Sequence, residues 1–527
     1  MRIYLFVFIL ACSLSSLAQD IDVLHYNYAI QLNDQDDTIK GTALITLVKK
    51  SDKPTISLDL ASVNKDGKGM KATVNTGVEV LQYTHTADQL MVDLAKYKKG
   101  DTIQLSIVYK GVPGDGLIIS KTKYGDRTFF ADNWPNRAHF WIPCKDVPND
   151  KASFEFSVTA PSQYKVISNG IKIEERNLGS GNTFTHWKEG TPLSTKVMVI
   201  GAAKFAVKEF ANSPPDIPVS AWVYQQDSTK GFYDYAPATE ILKFFSSYIA
   251  PYPYKKLANV QSKTIFGGME NASAIFYAEN SVTGKGGAEG LLAHEIAHQW
   301  FGDMASEKSF MHLWLSEGFA TYFTDIYWQH KYGDEAFKKR LQKERQEVIQ
   351  FVKTTNHPVV DSVSPYMDLL NPNSYQKGAW VLHMLRNEVS DSVFQKIIQF
   401  YYQQYKGSNA DTRDFEAVAE KVSGKELTWF FDQWLYQPGM PQLEIRWKPD
   451  AKIIRIKQTQ KELFQFLLEL SFVSKDGKKE VQKFFVNKKD QEFTINGNPT
   501  NTNVIIDPSL KLLFSGSMVK EEKPNFK

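Results

Sequence analysis

The residues best suited to chemistry lie in one short run, His294-Glu295-Ile296-Ala297-His298. In an α-helix each residue turns by about 100°, so His298 returns to within about 40° of His294, with Cβ atoms roughly 5–6 Å apart. Two imidazoles so placed can share one metal ion, and zinc suits them. Glu295 sits one position off that face, where a carboxylate can address a water beside the metal without binding it. Beyond His298, Trp314-Leu315-Ser316-Glu317-Gly318-Phe319-Ala320 reads as the start of another helix, with Ser316 as its N-cap. Glu317 is the candidate third ligand. Two His and one Glu leave a fourth position open for water, as a catalytic zinc site requires. Taken alone, a first-turn Glu is more often a solvent-facing carboxylate beside the helix dipole than a ligand.

Such side chains need rigid elements around them. Apolar spacing reads as helix over 236–250, 288–300, 317–332 and 375–405, with turns breaking the longer runs. Upstream, 20–206 reads as strands. Residues 21–32 alternate partly, 39–48 are rich in Thr, Ile, Leu and Val, and 101–109 put Ile103, Leu105 and Ile107 on one side. The Pro-rich stretch Asn212-Ser213-Pro214-Pro215-Asp216-Ile217-Pro218 marks a boundary, after which the period changes. Strands return from 441, over 442–447, 453–458, 464–474, 481–486 and 504–507. The chain therefore reads as α+β and multidomain: an N-terminal all-β domain over 19–206, a mostly α domain over 207–440, and a small β-sandwich-like domain with a short tail over 441–527.

Composition narrows the function classes. With 42% hydrophobic and 23% charged residues, the 527-residue chain has a globular make-up and length for several domains. Its net charge of +3, without a basic run interleaved with aromatics, argues against nucleic acid as a partner. Residues 1–18 read as an export signal: Arg2, an apolar stretch from Ile3 to Ala11, and Ser16-Leu17-Ala18 as a cleavage site. That predicts a periplasmic or secreted protein with no transmembrane segment. The rival reading is a lipoprotein anchored at Cys12, through Ile9-Leu10-Ala11-Cys12. The other cysteine is Cys144, so loss of Cys12 with the signal leaves no intramolecular disulfide. Oligomeric state is not legible.

Several motifs in order resemble the gluzincin metalloaminopeptidases, the family of aminopeptidase N and the leukotriene hydrolase-aminopeptidase. His294, Glu295, His298 and Glu317 match the family's HExxH signature followed after eighteen residues by Glu. Gly267-Gly268-Met269-Glu270-Asn271 resembles its GxMEN segment, and Tyr375-Gln376-Lys377-Gly378 its YxKG segment. Pro251-Tyr252-Pro253-Tyr254-Lys255 and Pro143-Cys144-Lys145-Asp146-Val147-Pro148 are similar to further family segments. So are Asp414-Phe415, Trp434-Leu435 and Pro438-Gly439-Met440-Pro441, and the likeness spans about residues 22–445. It departs in two places. The family usually ends in a large α-helical domain, so the chain reads as a short form. Where many members carry a Glu or Gln that helps hold the substrate amino group, ungapped counting places Trp134.

The resemblance implies a thermolysin-like catalytic domain and one zinc ion held by His294, His298 and Glu317. It casts Glu295 as general base, Tyr375 as donor to the oxyanion, and Gly267, Gly268, Met269 and Glu270 as the substrate-binding segment. Glu270 would pair with a free α-ammonium, attracting N-termini and rejecting internal segments. The expected partners are peptides with a free N-terminus. The alternatives are a zinc endopeptidase, an epoxide-hydrolysing relative, and an inactive peptide-binding scaffold. The other eight histidines have no ligand spacing and read as surface or core residues.

Overall fold

The computed structural model describes residues 20–474, 477–497 and 503–520; the export-signal stretch and Cys12 lie outside them. The N-terminal strands build a seven-stranded sheet. Its order is Ile171–Asn177, Asn182–Ser194, Lys151–Pro161, Ile21–Gln31, Ile39–Lys49, Thr102–Val112 and Gly69–Asn75. Ile103, Leu105 and Ile107 all face the core, as their alternation predicts. The imperfect alternation of the first strand has a local cause: its register against Ile39–Lys49 shifts between Val23 and His25. An extra residue there flips the side-chain order once. A four-stranded sheet, Lys165–Ser168, Ile200–Ala203, Arg127–Ala131 and Leu117–Lys121, lies beside it in sequence.

The middle of the chain is mostly helical but carries a five-stranded sheet that the spacing does not predict. Its order is Phe205–Glu209, Val219–Tyr224, Leu257–Ser262, Ala274–Ala278 and Gly268–Met269. The Pro-rich stretch is the connection between the first two strands, which pair antiparallel from Phe205↔Tyr224 to Glu209↔Ser220. Every residue of Leu257–Ser262 is buried, so it shows no alternation. The polar ones are satisfied instead: Gln261 accepts the Tyr224 amide at 2.9 Å and donates to Asp227 at 2.8 Å. The segment Gly268–Met269 forms one edge of this sheet.

Helices Ala238–Tyr248, Glu289–His298, Trp314–Tyr332, Gly378–Val389 and Asp391–Tyr405 fall where the period places them. Helices Asp334–Phe351 and Thr412–Ser423 are additions. The helices Trp314–Tyr332 and Gly378–Val389 approach so closely that a β-carbon on Gly318 would lie 2.9 Å from the Gly378 backbone. Only glycine permits that contact. Among the described residues, no helix is long and apolar enough to cross a membrane. Cys144 is buried and free.

At the C-terminal end, sheets of four and three strands face each other, with Trp447 against Phe472 at 5.5 Å and Phe484 against Phe493 at 5.2 Å. His383 ties this unit to the helices. Its Nε2 donates to the Leu510 carbonyl at 2.7 Å, and Nδ1 pairs with the Tyr322 hydroxyl at 3.0 Å. Burial pushes the imidazole down to about 4. A histidine depressed in the fold loses stability as pH falls from its unfolded value near 6.5 toward 4, and the loss is complete below that. The shift is worth about 3 kcal/mol. Denaturant titrations of wild type and His383→Gln should therefore converge as pH drops through 6.5 to 4. A gap independent of pH would contradict this role.

Candidate active site

The lead-in to the HExxH helix is fixed by Asp234, whose carboxylate accepts the amides of Thr283, Gly284 and Gly286 at 2.6–2.8 Å. Glu289 in the first helical turn then binds Lys331, Tyr327 and Tyr332 near the far end of the Glu317 helix. The two helices thus run antiparallel, clamped at one end by this cluster and meeting at the other through the histidines and Glu317.

There, His294 Nε2 lies 3.1 Å from His298 Nε2 and 3.2 Å from Glu317 Oε2, and His298 Nε2 lies 3.3 Å from the same oxygen. Ligands of a tetrahedral zinc at about 2.0–2.1 Å sit roughly 3.3–3.4 Å from one another. The cluster fits such an ion, and it is the one His/Cys/Asp/Glu group of this kind among the described residues. The ring of His298 is oriented from behind: its Nδ1 donates to the Phe301 carbonyl at 3.1 Å, turning Nε2 toward the cluster.

Ser316 is not the helix N-cap. The helix begins at Trp314 with Leu313 as cap, so Ser316 lies inside the first turn. Its hydroxyl turns inward and hydrogen-bonds His298 Nδ1 at 3.0 Å. The residue type fits either place; only the helix start, set three-dimensionally by the turn Phe310–His312 before it, decides between them.

The electrostatics ask for a cation. Burial opposes charge on His298, yet Glu317, Glu270 and Glu295 outweigh it and hold the imidazole up to about 10. Burial likewise opposes charge on Glu317, but His298 and His294 pull its carboxyl well below the usual range. A divalent ion at the same place satisfies the carboxylates without that proton. Burial pushes Glu295 well above the ordinary carboxylate range; His298 works against this, while Glu270 and Glu317 add to it.

A cavity of about 350 Å³ holds these groups together. His294, Glu295, His298, Glu317, Tyr375 and the run Gly267 to Glu270 all line it, as do Trp134, Phe266, Leu291 and Leu370. Tyr375 lies on a short π-helical turn, Asn373–Lys377, its ring stacked on His294 at 5.9 Å. Burial, then the Glu317, Glu270 and Glu295 charges, drive its hydroxyl well above 10, so it stays an O–H donor. Lys377 of the same turn does not face the cavity lining; it donates to the Gly439 carbonyl at 2.7 Å, pinning the Pro438-Gly439-Met440-Pro441 turn.

Two positioning residues escape a motif reading. Gln299, next to His298, donates to the Glu270 carbonyl at 2.7 Å and accepts the Ser273 amide at 2.7 Å, joining the HExxH helix to the substrate segment. Asp132 accepts the Ile265 amide at 2.9 Å and the Thr264 hydroxyl at 3.0 Å, so the N-terminal region grips the same loop. Both signals are long-range and carry no spacing rule.

Gly268 has a specific demand placed on it. A β-carbon there would enter the space of the Glu295 carboxylate. Gly268→Ala should therefore displace Glu295 and lower kcat by about 10²-fold, the scale of a misplacement near 1 Å. Turnover of the variant at saturating substrate checks this; wild-type kcat would contradict it.

Fold and site define a metallopeptidase architecture, and the relatives agree. Residues 23–197 match the Peptidase M1 N-terminal domain, and residues 233–434 the Peptidase family M1 domain. The chain belongs to peptidase family M1. It is similar to glutamyl aminopeptidase of Rattus norvegicus, at 26% identity over 82% of this chain and 49% of that protein. Probable aminopeptidase 2 of Sulfurisphaera tokodaii is 28% identical over 73% of this chain and 50% of its own. Aminopeptidase M1-A of Oryza sativa subsp. japonica is 27% identical over 69% and 43%. The chain spans about half the length of these relatives.

Proposed function

We propose that this chain is a zinc-dependent aminopeptidase, exported from the cytoplasm, that releases single residues from the free N-termini of peptides. One observation carries the reading: a buried carboxylate, Glu270, shares a single cavity with the His294–His298–Glu317 cluster. The same reading places catalysis in 207–440, with β domains on either side.

Zinc held by His294, His298 and Glu317 would polarise the scissile carbonyl and lower the pKa of water toward about 7. Glu295, beside the ligands but not among them, takes the proton of the attacking water and hands it to the departing amine. Tyr375 donates its hydroxyl to the oxyanion that develops. The edge segment Gly268–Met269 can pair with an extended peptide backbone. Glu270 holds the α-ammonium, which fixes the cut one residue from the end.

Digestion of a defined peptide, followed by mass spectrometry, tests this. Stepwise loss of N-terminal residues is expected, and N-acetylation should block it. Internal fragments would contradict the reading and favour an endopeptidase. Tyr375→Phe should lower kcat by about 10²–10³-fold with KM little changed, as for loss of one oxyanion donor. Unaltered kcat in steady-state assays would remove Tyr375 from the mechanism.

A further inference from the structure

The cavity has a second wall whose side chains take no part in the bond-breaking steps. Beyond the reacting groups and the glycines, it is formed by Trp134, Phe266, Met269, Leu291 and Leu370. None carries a charge. Trp134 is 2% exposed and packs edge-on against Phe266 at 5.8 Å and Phe310 at 5.6 Å. Phe310 in turn meets Tyr366 at 4.8 Å. Trp134 and Phe266 are therefore the cavity face of a packed aromatic block that Phe310 and Tyr366 extend behind them, with Trp134 joining the two parts.

Cations lie behind this block, but each is already committed. Arg137, over the Phe266 ring at 5.8 Å, pairs with Asp132 at 2.6 Å and Asp115 at 3.0 Å. Lys196, over the Phe310 ring at 5.9 Å, pairs with the buried Glu307. Neither lines the cavity. An acidic side chain entering there would meet no counter-charge and would face the carboxylates of Glu270, Glu295 and Glu317. Burying an unpaired carboxylate is strongly unfavourable. An apolar side chain lying against Trp134, Phe266, Met269, Leu291 and Leu370 meets mostly apolar surface and gains from leaving water, the indole N–H of Trp134 being the one unpaired polar side-chain atom of that wall.

We infer that this site selects a large apolar N-terminal residue, such as leucine, methionine or phenylalanine, and that Trp134 sets this preference by walling the side-chain pocket. The inference rests on the aminopeptidase reading and separates this chain from the relatives named glutamyl aminopeptidases.

Two measurements on the zinc-loaded full chain test it. On a panel of aminoacyl-anilides, kcat/KM for leucine and phenylalanine should exceed that for glutamate by about 10²-fold or more, and for alanine by about 10-fold or more. In Trp134→Ala the phenylalanine-to-alanine ratio should fall by about 10-fold. A general loosening of the fold lowers all substrates alike and leaves that ratio unmoved, which would overturn the role of Trp134. The second measurement is calorimetric binding of leucine hydroxamate and glutamate hydroxamate, which needs no turnover and tests the pocket even if the variant misfolds. Tighter binding of the leucine compound supports the inference. Equal or tighter binding of the glutamate compound overturns it, whatever the enzyme cleaves. Internal peptide cuts combined with tighter leucine hydroxamate binding would sink the aminopeptidase reading and leave the apolar pocket standing.

Discussion

Glu295→Gln should lower kcat on aminoacyl-anilides by about 10²–10⁴-fold, the range of a lost general base, and leave zinc content unchanged. The amide has the shape of the carboxylate, so the buried position tolerates it; Glu295 is 4% exposed and sits against Gly268. What is lost is the capacity to accept a proton at that point. None of the ligand atoms is touched, since His294, His298 and Glu317 form the cluster without Glu295. Metal analysis and turnover of the same preparation separate the two effects. A folded, zinc-loaded variant with wild-type kcat would remove Glu295 from the mechanism.

Glu270→Ala should reduce kcat/KM for free-amine substrates by about 10²–10³-fold, as expected when one partner of a buried charge pair is truncated. Burial raises the Glu270 carboxyl; His298 works against this, Glu317 adds to it, and Lys196 opposes it. A group so poorly solvated gains strongly from an incoming ammonium. The same substitution should narrow the preference for free over N-acetylated peptides, because the penalty of an unpaired carboxylate disappears. Competition assays between the two peptide forms read this directly. A preference unchanged by the substitution would mean that another group holds the amine.

The site was legible in the sequence where its geometry is local. Two histidines four apart on one helix converge by helical pitch alone, and Glu317 joins them because its helix packs antiparallel on theirs. Ser316 shows the limit: the same serine caps a helix that begins at 317 and braces His298 in one that begins at Trp314. The five-stranded sheet was hidden because Leu257–Ser262 is buried on both faces and hydrogen-bonds its polar residues internally. The helix Asp334–Phe351 was hidden by its charge. Its buried face is only Phe337, Leu341, Glu344 and Val348, and Asp325 on the neighbouring helix pairs with Arg340. Trp134 stood out as a departure from a family pattern. What surrounds it, Phe266 and Phe310 from distant segments, is a tertiary fact that no spacing encodes.

All of the chemistry described depends on a cation bound by His294, His298 and Glu317. Elemental analysis of the purified wild type and Glu317→Ala, before and after chelation, tests that dependence most directly. About one zinc per chain should be present in the wild type, leave with chelation together with activity, return on adding zinc, and be missing from the variant. A metal-free chain that trims peptides undisturbed by chelators would contradict it.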